Sequence, residues 1–119
     1  MSQPSDDDRK TLEQWRREID ILDSELLRLL NERARIATEL GALKYSSGLP
    51  VYDGRRERQI LARLCESNQG PLDAAGVMSI FRTIIRESRR VERNSQQSPE
   101  NKEAKSDFKQ EGQEYSHGH

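Results

Sequence analysis

The sequence predicts an all-α fold: a three-helix chain with a long first helix that intertwines with the same helix of a second copy. Three observations predict it. Leu12, Trp15, Ile19, Leu22, Leu26, Leu29, Ile36, Leu40 and Leu43 follow a 3-4 spacing, a heptad seam broken once, at position 33. Two shorter apolar stripes of helical period follow it, and no stretch alternates strictly as a half-buried strand would. Finally, the seam is too long for one small chain to cover.

The first helix is expected to span roughly 35–40 residues, or about 50–60 Å at 1.5 Å per residue. Proline is absent from 5 to 49, and Gly41 is the one interior glycine. Ser5 to Asp8 offer N-caps and negative charge for its positive end, and Ser46-Ser47-Gly48-Leu49-Pro50 stops it. A domain of this size has a radius of gyration near ~12 Å, so the helix overhangs a monomeric fold. Asp53 is placed to cap a second helix, which carries Glu57, Ile60, Leu61 and Leu64 on one face and ends at Asn68-Gln69-Gly70-Pro71. A third helix runs from about Leu72 to Arg93 on a stripe of Val77, Phe81, Ile84, Ser88 and Val91, flanked by Met78, Ile85 and Glu92.

Composition sets the domain limits. Hydrophobic residues make up only 32% of the 119 positions, against a usual ~45–50%. The deficit lies at the ends. Residues 1–8 form a polar, acidic arm, and residues 94–119 hold only Ala104, Phe108 and Tyr115 from the hydrophobic set; both are expected to be disordered. Residues 9–93 form the folded domain. The two histidines belong to the tail and have no other ligand beside them, so no metal site is expected there. One cysteine, Cys65, excludes a disulfide framework and points to a reducing cytoplasm. Neither a secretory signal nor a membrane-spanning stretch is expected. The folded part is rich in arginine, but acidic residues are interleaved with it and the whole chain carries a net charge of -1, which argues against nucleic-acid binding.

Function should lie where polar residues interrupt an apolar stripe. Arg33 breaks the long seam, and burying its guanidinium requires a partner, either a structural carboxylate or a ligand. Lys44 follows eleven residues later on nearly the same helix face, some 16 Å along the axis, so both cations could reach one anion. Glu57 lies on the apolar face of the second helix, and Ser88 and Glu92 lie one turn apart on the third. Helix bundles build ligand sites from such inward-facing side chains. The folded part lacks histidine, a glycine-rich phosphate loop and an HExxH pair. A site that positions an anion and stabilises developing charge fits what remains.

Five segments together resemble the all-helical chorismate mutases: Trp15-Arg16-Arg17-Glu18-Ile19-Asp20-Ile21-Leu22-Asp23, Leu29-Leu30-Asn31-Glu32-Arg33, Lys44, Leu49-Pro50-Val51-Tyr52-Asp53-Gly54-Arg55-Arg56-Glu57, and Ile84-Ile85-Arg86-Glu87-Ser88. The resemblance covers about residues 9–93. It implies an intertwined homodimer and the rearrangement of chorismate to prephenate, without cofactor or metal. Residue by residue, it implies that Arg33, Lys44 and Arg56 bind the dianionic substrate and that Arg16 reaches in from the other subunit. Arg16 and Lys44, about 42 Å apart on one helix, would meet only in an antiparallel dimer. The resemblance also implies that Glu57 binds the substrate hydroxyl and that Asp53, at the loop-to-helix turn beside it, belongs to the substrate-binding set. Ser88 would contact a carboxylate, and Glu92 would donate to the ether oxygen whose bond breaks. Many members carry Gln at that last position. Glu donates only when protonated, so Glu92 is expected to act as the neutral acid, a state that burial favours and nearby cations oppose. Three other readings stay open: an isochorismate-pyruvate lyase of the same fold, a non-catalytic dimeric coiled-coil module whose charged residues pair only internally, and nucleic-acid binding.

Overall fold

The computed structural model describes residues 9–96. They form three helices, α1 (Leu12–Ser46), α2 (Gly54–Ser67) and α3 (Ala74–Asn94), and no strand is found among the described residues. The arm at 1–8 and the tail from 97 onward lie outside them.

Helix α1 begins later than the acidic N-caps suggested. Thr11 is its N-cap: Gln14 N donates to Thr11 Oγ1 (3.2 Å) and Thr11 N donates to Gln14 Oε1 (2.7 Å), a reciprocal capping box. Ser5 to Asp8, the caps expected from the sequence, lie outside the described residues. At the other end Leu49 N donates to Lys44 O (2.8 Å) and Gly48 N to Tyr45 O (3.2 Å). This is a Schellman closure, and it requires the left-handed φ of 71° that Gly48 adopts.

The described chain divides between Arg33 and Ala34 into two units. The first holds the N-terminal part of α1. Its polar side is laced by Arg28 with Glu25 and Glu32 and by Lys10 with Glu18, and the Lys10 ammonium also lies 4.5 Å from the centre of the Trp15 ring. The second unit holds the rest of α1 with α2 and α3. Its small core is Ala37, Ile60, Val77 and Ile85. Asp53 caps α2, accepting from Arg56 N, and Asp73 caps α3, accepting from Gly76 N.

Two details of α3 differ from expectation. The residues read as flanking its stripe, Ile85 and Glu92, are among its most buried, with Val77. The helix also runs to Asn94, and Ser95 beyond it is buried, so packed structure extends past 93 into the stretch expected to be disordered. The cause is Gly41. A Cβ there would meet the Glu92 Cα at 2.8 Å and would collide with Glu92 O and Ser95 Oγ. Glycine lets the backbones of α1 and α3 approach this closely, and Gln96 Nε2 donates to Gly41 O (3.3 Å) across the crossing.

The α1 seam has no such cover. All nine of its apolar residues, from Leu12 to Leu43, are 40–67% exposed in the single chain. Monomeric proteins rarely present so many apolar side chains along one exposed helix face.

Candidate active site

The Gly41 crossing sets the position of Lys44. Three residues on from Gly41, it occupies the last turn of α1 and projects toward α3. Its Nζ donates to Glu92 Oε1 and to Val51 O, both at 2.9 Å. The side chains are only 15% and 9% exposed. The Schellman turn at Gly48 reverses the chain and returns the Val51 carbonyl to the ammonium. An ion pair sheltered to this degree relies on its partners to offset desolvation, and among the described residues no buried side-chain polar atom lacks a hydrogen bond.

A second cluster lies between α2 and α3. Glu57, in the first turn of α2, places Oε2 3.3 Å from Arg89 Nη1. The Arg89 guanidinium lies over the Tyr52 ring, 5.4 Å from its centre. Asp53 organises this end of α2, its Oδ1 accepting from Arg56 N at 3.0 Å. It begins the helix that carries Glu57.

The predicted site residues thus fall into groups. Lys44 and Glu92 are in contact. Glu57 is held from α3, and Ser88 is half-buried one turn before Glu92 and engaged in an interaction of its own. The Arg56 side chain is exposed beside the Asp53 cap. Arg16 and Arg33 belong to the first unit, where Arg16 is exposed and Arg33 is half-buried and engaged. Sequence reasoning passed over Arg89 and Tyr52. A signal for Arg89 existed: it falls four residues after Ile85 and three before Glu92, on the stripe that proves most buried. No group of three or more His, Cys, Asp or Glu among the described residues is placed to hold a metal ion.

The description of the family chorismate mutase type II matches residues 15–93. The chain belongs to that family. Among solved structures, the chorismate mutase of Thermus thermophilus (form II) is 37% identical, with a TM-score of 0.69 over 71% of this chain and 96% of that one. The Helicobacter pylori chorismate mutase, solved in complex with prephenate, is 33% identical, with a TM-score of 0.66 over 71% of this chain and 91% of that one. Among curated relatives, the bifunctional chorismate mutase/prephenate dehydratase of Neisseria gonorrhoeae is 44% identical over 78 residues, which are 66% of this chain and 21% of that protein. The Aquifex aeolicus protein of the same description is 38% identical over 62% of this chain and 22% of its own length. This chain therefore spans about a fifth of the length of these curated relatives.

Proposed function

We propose that the chain is a chorismate mutase, converting chorismate to prephenate as a cytoplasmic homodimer. The observation that carries the reading is the sheltered Lys44–Glu92 pair, which the Gly41 crossing sets at the junction of α1 and α3 in a chain of this family. The rearrangement is unimolecular and needs no nucleophile, so the protein's task is to hold a flexible dianion in its reactive shape and to stabilise charge as it moves.

In this reading Arg33 and Arg56, with Arg16 from a second copy, clamp the substrate carboxylates, and Ser88 adds a hydrogen bond. Glu57 takes the substrate hydroxyl. Lys44 turns from Glu92 toward the ether oxygen, and Glu92 donates to the same oxygen once it carries a proton. Glu92→Gln, whose amide can donate to the same oxygen, should keep turnover, whereas Glu92→Ala should lose it; equal losses in the two variants would reject the donor role.

The exposed α1 seam supports the homodimer. No described helix is long and apolar enough to cross a membrane. The direct test mixes purified protein with chorismate, without added metal, and follows chorismate loss and prephenate formation in wild type and Arg33→Ala. Turnover that the folded variant loses supports the reading.

One observation favours a second reading. Lys44 and Glu57 both have internal partners in this chain, as a non-catalytic helical module would require. Such a module turns over neither chorismate nor isochorismate, whereas a lyase would consume only the latter.

A further inference from the structure

Glu57 is not left to find its own orientation. The Arg89 guanidinium meets Oε2 from α3, and the face of the Tyr52 ring supports that guanidinium from the loop preceding α2. Both charged side chains are largely sheltered, at 24% and 21% exposure. The arrangement therefore differs from the solvent-exposed pairs of α1, where long side chains meet at the surface and contribute little. Three parts of the chain thus converge on one carboxylate. The α2 backbone carries it, α3 supplies the cation, and Tyr52 restricts where the cation can sit. A carboxylate offers about four accepting positions on two oxygens, so a single contact at Oε2 leaves capacity for a ligand hydroxyl.

We propose that Arg89 is a positioning residue: it fixes the rotamer of Glu57 so that the carboxylate meets the substrate hydroxyl, and Tyr52 holds Arg89 in place through its ring. The inference rests on the chorismate mutase reading above. Planarity and charge both matter, because the guanidinium must lie on the ring while reaching the carboxylate. Arg89→Lys keeps the charge and loses the stacked plane. Tyr52→Phe keeps the ring and loses only the hydroxyl.

The test is a double-mutant cycle on chorismate turnover with Arg89→Ala, Glu57→Gln and the pair, alongside Arg89→Lys and Tyr52→Phe, each checked for helicity and for its unfolding midpoint. Arg89→Ala should lower kcat/KM by about tenfold, comparable to losing a support for a binding group. Arg89→Lys should recover part of that loss, and Tyr52→Phe should match wild type. In the Glu57→Gln background the Arg89→Ala change should have almost no further effect, since there is no carboxylate left to orient. Losses that multiply would overturn the positioning role and make Arg89 a substrate contact in its own right. Full activity in a folded Arg89→Ala protein would overturn it as well. Absence of turnover by the wild-type protein would overturn the chorismate mutase reading and this inference with it. Wild-type turnover combined with a multiplicative cycle overturns the inference alone.

Discussion

At the residue scale, the balance of the Lys44–Glu92 pair decides what a substitution does. Removing one member of a sheltered pair leaves the other without compensation, a loss of about 3–5 kcal/mol, whereas replacing both by apolar side chains of similar volume is often neutral. Lys44→Met alone is therefore expected to lower stability substantially, and adding Glu92→Leu should restore much of it. Urea denaturation of the two single variants and the double measures this. Both singles should also lose activity, by roughly 10²–10³ if they remove a donor to the moving charge. The double variant separates the two effects, because it regains stability without regaining turnover. These residues were legible in the sequence because each lies beside an apolar stripe: Lys44 at the end of the seam on nearly the Arg33 face, Glu57 beside Ile60, and Glu92 one turn after Ser88. Arg89 carried only a weak signal, its spacing from Ile85 and Glu92; as one of fifteen arginines in the folded part it looks like solvated surface until the carboxylate on the neighbouring helix is known.

At the scale of the elements, helix type and order follow from periodicity, whereas helix ends depend on single side chains. Thr11 with Gln14 starts α1; several residues of the sequence could cap, and only the register of the backbone chooses among them. The C-terminal extension of α3 was hidden for a related reason. Ser95 and Gln96 have no apolar signature, and they pack because Gly41 leaves room. Substituting Gly41 by Ala tests that account. The change should gain about 1 kcal/mol in helix propensity. It would also force a methyl group into the α3 backbone, at a cost of up to about 3 kcal/mol. Net destabilisation of about 1–2 kcal/mol is expected, with a larger loss of activity because Lys44 and Glu92 are pushed apart. At the start of α2, Asp53→Ala should cost about 1 kcal/mol through the lost cap. Asp53→Asn, which can still accept from Arg56 N, should cost less. Thermal unfolding of the two variants checks this order.

At the scale of the whole molecule, the proposed homodimer would make stability a matter of concentration. If a second copy covers the α1 seam, folding and association are coupled, and the unfolding midpoint rises with protein concentration. Leu26→Lys places a charge in the middle of the seam and should yield a monomer with little turnover, because Arg16 then has no partner site to enter. Sedimentation equilibrium reads the first effect and the chorismate assay the second. Wild-type mass equal to one chain at micromolar concentration would reject the dimer. The expectation of a second chain rests on the mismatch between seam length and domain size, which the sequence carries; the heptad repeat alone is satisfied by more than one helix arrangement.

The contact at Gly41 also has a kinetic side. Gln96 reaches Gly41 across 55 positions of sequence, and Lys44 reaches Glu92 across 48. Closing a loop of that size costs about 2 kcal/mol more entropy than closing a tight turn. The contacts that assemble the candidate site are thus non-local ones, which tend to form after the helices themselves and to open before them. A ligand that bridges α1 and α3 would act as a cross-link on this closure. Its presence should slow amide exchange most at the C-terminal turns of α1 and α3, leaving the middle of α2 nearly unchanged.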